Sequence, residues 1–433
     1  MTVDEKTNYG FETLALHAGQ EPDPVTLARA VPIHRTSSYV FRDVEHAANL
    51  FSLKEPGNIY TRLMNPTTDV LEKRMAALEG GVGALALASG TSAIFYSLIN
   101  CMAAGDEFVS ARNLYGGTYT MFNNILPQFG ITVRFVEQAV PELIKEKINA
   151  RTRAIYLETI GNPDLFVPDF DAVANVAGVA GVPLIIDSTF TPPCLFKPLE
   201  HGADVVAHSL TKWIGGHGTG IGGIAVDGGR FDWSDPKFRL YSEPESSYFG
   251  LRFGHDLGDL QPLAFILRMR LVPLRNLGAC MSPDNAWMFL QGLETLSLRM
   301  ERHCSNALAV AKFLEEHEKV SWVSYPGLES HESHATVKRY FAKGMGGAVV
   351  AFGIRGEAAS AEKFINGLNL FSHLANVGDA KSLAIHPAGT THSQLSPEEQ
   401  LAAGVPPDLI RLSVGIELID DILGDLDRAL HKA

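Results

Sequence analysis

Between residues 84 and 187, short apolar runs alternate with helical stretches, and no other feature of the chain limits its fold as strongly. The runs 84–88, 107–110, 132–136, 154–158 and 183–187 read as strands. Helices are expected at 92–102, 118–126, 141–150 and 169–180, after one from Thr67 that Thr67 or Thr68 caps and Gly80-Gly81 stops. Strands that are apolar without alternating are covered on both faces, and helices between them serve as crossovers. The pattern therefore predicts an α/β domain around a large, mainly parallel sheet. Such sheets bind ligands at the carboxyl ends of their strands, so the turns that follow strands hold the candidate site residues.

The flanks read differently. Residues 1–66 are polar and rich in Gly and Pro, so they form an arm with no core of its own, which must lie on something else. Order is lost again at 230–282, a Phe-, Tyr- and Pro-rich insertion with short helices near 259–269. One long helix is expected over 284–316, then strands at 348–352, 382–385 and 410–414 and helices at 358–366 and 419–429. Three parts follow: the arm (1–66), a large α/β domain (67–283, including the insertion) and a smaller C-terminal α/β domain (284–433). A net charge of -13 argues against a nucleic-acid partner, which needs a basic surface. Cys101, Cys194, Cys280 and Cys304 form no CxxC pair, which suits reduced thiols, and no metal is expected. No run of eighteen apolar residues and no apolar leader occur, so the expectation is a cytoplasmic protein off the membrane.

Lys212 stands out within Ser209-Leu210-Thr211-Lys212-Trp213-Ile214-Gly215-Gly216. An ammonium in such apolar surroundings loses hydration, its pKa falls, and the neutral amine can hold a carbonyl as a Schiff base. It also reads as a surface lysine in a glycine loop. Ser89-Gly90-Thr91 opens a helix, where free N–H groups favour an anion, or Ser89 is a plain cap. Asp187 ends a buried strand and could meet a protonated ring nitrogen, or cap a turn. Tyr115 follows another strand and could stack on a flat ring, or belong to the core. Taken together in this order, a phosphate cradle, a ring stacker, an acid and a lysine are what pyridoxal phosphate requires of a protein.

Several segments carry a resemblance: Ser209-Leu210-Thr211-Lys212, Tyr60-Thr61-Arg62 before Asn65-Pro66-Thr67, Ala88-Ser89-Gly90-Thr91-Ser92-Ala93, Leu114-Tyr115-Gly116-Gly117-Thr118-Tyr119 and Arg411-Leu412-Ser413-Val414-Gly415. They resemble the Cys/Met-metabolism family of fold-type I pyridoxal phosphate enzymes, and the likeness spans nearly the whole chain. It implies that Lys212 is the Schiff-base and proton-moving lysine and that Asp187 meets the ring nitrogen. Tyr115 would cover the ring face and assist catalysis, with Ser89, Gly90, Thr91, Ser209 and Thr211 around the phosphate. Tyr60 and Arg62 would reach a neighbouring subunit's site, giving the arm a purpose and implying a homotetramer built from site-sharing dimers. Arg411, Asn162, the backbone around Ser382, and Tyr60 would hold the substrate.

Within the family, Glu158-Thr159-Ile160-Gly161-Asn162-Pro163, Asn376-Val377-Gly378-Asp379-Ala380-Lys381-Ser382, His386-Pro387-Ala388-Gly389-Thr390-Thr391-His392-Ser393 and the 230–282 insertion narrow the implication. They resemble members that replace the acetyl ester of O-acetylhomoserine with sulfide or methanethiol, a step of methionine biosynthesis. The cystathionine γ-synthase and γ-lyase branches are the alternative. Gly389 departs from the Ser that members often carry, and a methionine γ-lyase is expected to have Cys in place of Gly117.

Two other chemistries have sequence signals. Gly218-Thr219-Gly220-Ile221-Gly222-Gly223 matches the dinucleotide fingerprint, but that motif needs a helix after it and 224–227 reads as a strand. His331-Glu332-Ser333-His334 could suggest a metal hydrolase, yet without HExxH or a carboxylate cluster these read as surface loop histidines.

Overall fold

The computed structural model describes residues 9–390 and 404–433, with positions 393, 396, 398 and 400 between them. The first eight residues of the arm, and Thr391 and His392 of the motif after His386, lie outside the described residues. Seven strands form the large sheet: β1 (Gly83–Leu87), β2 (Glu107–Ala111), β3 (Thr132–Val136), β4 (Thr152–Glu158), β5 (Leu184–Asp187), β6 (Val205–Ser209) and β7 (Gly223–Asp227). Their order is β1-β7-β6-β5-β4-β2-β3. Only β7 runs against its neighbours, β1 and β6. Because β7 reverses direction twice over, β1 points the same way as β6, and the carboxyl ends of β1, β2, β4, β5 and β6 share one edge.

The strands were legible because their residues are buried with no polar alternation, as in β2, β5 and β7. Local chemistry sets the helix ends. The helix Pro66–Glu79 is capped by the Asn65 side chain, not by Thr67 or Thr68, with proline at its first position and Gly80 left-handed at its end. The 284–316 segment is two helices, Pro283–Glu294 and Leu296–Glu316, broken at Thr295. Arg299 reaches back to donate to the Gly292 carbonyl at 2.6 Å, satisfying an acceptor that the break exposes.

The second sheet contains β8 (Val320–Ser324), β9 (Val349–Ile354), β10 (Ser372–His373), β11 (Leu383–Ile385) and β12 (Leu409–Ser413), in the order β10-β11-β12-β9-β8. It is antiparallel except for β10 and β11. The 230–282 insertion is part of the large domain's core: Trp233 stacks on Tyr241 and Phe265, and Asn100 donates to the Tyr241 hydroxyl and the Phe265 carbonyl. Among the described residues of the expected arm, Ala15 and Leu50 are the buried apolar side chains. The arm's helix Phe11–His17 packs on Pro66–Glu79, while Val40 and Val44 stay almost wholly exposed.

Candidate active site

The shared strand edge opens on a cavity of about 260 Å³ lined by residues from both sheets. Ser89, Gly90 and Thr91 follow β1, Tyr115 follows β2, Glu158 ends β4, Asp187 ends β5, and Ser209, Thr211 and Lys212 lie at and after β6. Asn376 and Arg411 come from the second sheet's segments, and Asn162 from the turn after β4. One cavity thus gathers ten of the thirteen residues singled out from sequence. Tyr60, Arg62 and Ser382 do not line it.

Two halves of an anion cradle meet across β7. Gly223 is paired with both Leu87 of β1 and Ser209 of β6. A side chain on Gly90 would place its Cβ 2.5 Å from Ser209 Cβ, so the helix start and the β6 end approach only because position 90 has none. Ser89 caps the helix Gly90–Cys101. The first-turn amides of Gly90 and Thr91 have no intrahelical acceptor, and both residues line the cavity at the positive end of the helix dipole. The glycine run 218–223 belongs to this packing, and β7 follows it where a dinucleotide site would need a helix.

Asp187 is buried and accepts the Thr189 N–H at 2.8 Å. Among the described residues it has no ion-pair partner, and burial raises its pKa. A protonated ring nitrogen would pair with this carboxyl. Tyr115 stays about half exposed (53%), and Gly117 leaves room beside it: a Cβ there would lie 2.6 Å from Tyr115 Cε1. The Tyr115 N–H donates to Glu158 at 2.8 Å. These groups suit pyridoxal phosphate: an N–H and hydroxyl cradle for its phosphate, an uncompensated carboxyl for its nitrogen, a free aromatic face and an amine.

Burial, followed by the nearby Arg411, brings the Lys212 amine down to about 8. Its Nζ donates to Asn376 Oδ1 at 2.5 Å. The loop is held from behind: Arg299 donates to the carbonyls of Trp213 at 2.6 Å and Ile214 at 3.1 Å. Gly378, at φ +82, lets its segment lie against the Lys212 backbone, where a Cβ would come 2.8 Å from the Lys212 carbonyl carbon. Arg411 donates to Asn162 Oδ1 at 3.1 Å, and burial lowers its pKa to about 10, which leaves it charged at neutral pH. Its second nitrogen can face an anion.

Ser382 does not line the cavity but lies on the segment that runs from Asn376, which does. Its N–H and hydroxyl both donate to Glu417, and its oxygen accepts the Gly415 N–H. Asn376, six residues earlier, is the polar group of that segment in the cavity; neither it nor Glu158 was singled out. Tyr60 and Arg62 stack on each other at 5.4 Å on the exposed arm. His331 is half-buried and accepts the Ser333 N–H while contacting Ser324, so it is a structural residue and not a surface one. Cys101, Cys194, Cys280 and Cys304 are free. No described helix is long and apolar enough to cross a membrane. His317, Asp427 and His431 bring ligand-type atoms within 4.8 Å, but His317 Nδ1 accepts the Lys319 N–H, which puts the ring proton on the nitrogen facing Asp427.

Comparison with known proteins bears on the same geometry. The model of the Cys/Met metabolism PLP-dependent enzyme family matches residues 12–431. The chain is 58% identical to an O-acetyl-L-homoserine sulfhydrylase of Leptospira meyeri, over 98% of this chain and 97% of that one. It is 54% identical to a homocysteine synthase of Schizosaccharomyces pombe, over 98% of each. The crystal structure of a proposed O-acetylhomoserine (thiol)-lyase from Campylobacter jejuni, which contains a pyridoxyl-lysine phosphate, superposes with a TM-score of 0.93 at 39% identity, covering 98% of this chain and 100% of that one. The two-sheet architecture is thus the fold-type I arrangement, and the chain belongs to the Cys/Met-metabolism family of pyridoxal phosphate-dependent enzymes.

Proposed function

We propose that the protein replaces the γ-acetoxy group of O-acetyl-L-homoserine with sulfide or methanethiol, giving L-homocysteine or methionine and acetate. The observation that carries this reading is the pairing of Lys212 with the Arg411–Asn162 fork in one cavity, in a chain whose relatives of 54% and 58% identity are named for this chemistry. Bound there, pyridoxal phosphate supplies an electron sink for the charge left when a proton leaves the substrate's α-carbon. Ser89, Gly90, Thr91, Ser209 and Thr211 hold its phosphate, Asp187 its ring nitrogen and Tyr115 its face.

Arg411 and Asn162 seat the substrate carboxylate, which fixes the α-carbon relative to the lysine. Lys212 would hold the bound cofactor through its amine, which the incoming substrate amine would leave free. Its amine, neutral from about pH 8 upward, then accepts the α-proton. Acetic acid would be eliminated across the Cβ–Cγ bond, hydrogen sulfide would add across it with sulfur to Cγ and a proton to Cβ, and Lys212 would return its proton to Cα. Tyr115, which lines the same cavity, would share in proton movement.

Tyr60 and Arg62 serve a neighbouring copy's phosphate and substrate, and exposed Val40 and Val44 on the arm support burial against a partner in a homotetramer. Residues 1–66 form the arm, 67–283 the cofactor domain and 284–433 the C-terminal domain. We place the protein in the cytoplasm, where its free thiols stay reduced. The test is a product assay with O-acetylhomoserine, O-succinylhomoserine and O-acetylserine, each with sulfide and with cysteine. Homocysteine from the acetyl ester and sulfide is expected to dominate. Cystathionine as the main product overturns the reading, as does turnover by Lys212→Ala.

A further inference from the structure

β4 and β5 end side by side with Glu158 directly opposite Asp187, and both line the cavity. In-register neighbours on parallel strands project from one face about 4.8 Å apart. Carboxylates on such neighbours repel one another, and exclusion of water disfavours charging both. Asp187 has the support for it: the Thr189 N–H and the field of His208. Glu158 accepts one N–H, from Tyr115, and the acidic groups acting on it are Asp187 and Asp164. Burial first, and then Asp187, hold its carboxyl protonated well above the usual range. A neutral carboxyl keeps a carbonyl oxygen to receive the Tyr115 N–H.

Tyr115 needs such an anchor. Its ring is half exposed and its own side chain caps nothing, so the main chain at 115 decides where the ring lies. We propose that Glu158 is a positioning residue: as a neutral acid it fixes the main chain of the ring-stacking Tyr115 and leaves Asp187 the one negative charge beneath the ring nitrogen. This rests on the ring placement proposed above. An ionised Glu158 would compete with Asp187 for the ring proton, and a missing one would free the Tyr115 N–H.

The test compares the parent with E158Q, which keeps a neutral carbonyl acceptor, and with E158A, which has none. In infrared difference spectra of the apoproteins at neutral pH, the parent is expected to show a protonated-carboxyl C=O band that E158Q lacks. E158Q should bind pyridoxal phosphate within about threefold of the parent with the same visible absorbance, and E158A about tenfold more weakly. Absence of that band, or parent-like affinity in E158A, overturns the proposal. Where E158A does not fold, E158D replaces it, its carboxyl one methylene short of Tyr115; weakened binding in that variant supports the proposal and parent-like affinity overturns it. A parent that takes up no pyridoxal phosphate overturns the site reading beneath the proposal as well; an unaffected E158A in a parent that does take it up overturns the proposal alone.

Discussion

Lys212 Nζ donates to Asn376 Oδ1 at 2.5 Å, and this bond ties the loop after β6 to the segment leading into β11. An amide oxygen accepts more strongly from an ammonium than from a neutral amine, so Asn376 favours the charged lysine while burial opposes it. Asn376→Ala is expected to lower the Lys212 pKa below about 8, by roughly one unit. The pH dependence of pyridoxal phosphate uptake by the apoprotein reads this directly. A midpoint unmoved by the substitution would mean that Asn376 does not hold the amine.

The depressed lysine has a cost in stability with a definite sign. Its folded-state pKa of about 8 lies below the ordinary 10.5, so between those values the unfolded chain binds more protons and stability rises with pH. The penalty is whole below about pH 8 and is relieved as pH climbs toward 10.5. Lys212→Met keeps the apolar stem and removes the charge. Its apoprotein is expected to be more stable than the parent at neutral pH, by on the order of 2 kcal/mol, with the gap closing across that window. Urea unfolding of both apoproteins at several pH values checks this, and a gap that stays constant with pH contradicts it.

Arg411 is a test of carboxylate seating. Its guanidinium gives one nitrogen to Asn162 at 3.1 Å and keeps others for an anion, which a lysine ammonium at the same place cannot reproduce. Arg411→Lys should lower kcat/KM for O-acetylhomoserine by about 10- to 100-fold, mainly through KM. Steady-state kinetics with sulfide saturating separates the two constants. A fall confined to kcat would place Arg411 in the chemistry and not in binding.

The large sheet was legible because burial on both faces removes polar alternation, a signal local to each strand. Asp187 was legible because it ends such a strand, Ser89 and Tyr115 because they follow one, and Lys212 because its neighbours are apolar residues and glycines. The break at Thr295 was not, because it is stabilised by Arg299 from the next turn and no proline or glycine stands at the break itself. Asn376 and Ser382 share one polar loop, and only the distant partners Lys212 and Glu417 decide which faces the cavity. Glu158 was visible as a strand end, but its significance depends on register with Asp187, which comes from pairing across the sheet. The antiparallel second sheet was likewise hidden, since short apolar strands carry no mark of direction.

The cradle makes the sharpest steric prediction. Gly223 sits between Leu87 and Ser209, and a Cβ there would lie 2.0 Å from the Ser89 carbonyl oxygen and 2.6 Å from the Gly90 nitrogen. Both are backbone atoms, so no side chain can turn aside and the turn after β1 must move away from β7. Gly117 differs, because its Cβ would meet the Tyr115 ring, which can rotate. Gly223→Ala is therefore expected to destabilise the apoprotein by about 1–3 kcal/mol. It should also weaken pyridoxal phosphate binding about tenfold or more while leaving pyridoxal, which has no phosphate, little changed. Equilibrium titration of the apoprotein with the two compounds distinguishes a splayed cradle from general damage: equal losses for both would show that the strain reaches the ring contacts at Asp187 and Tyr115, and that the phosphate is not what the two helix-and-strand ends are brought together to hold.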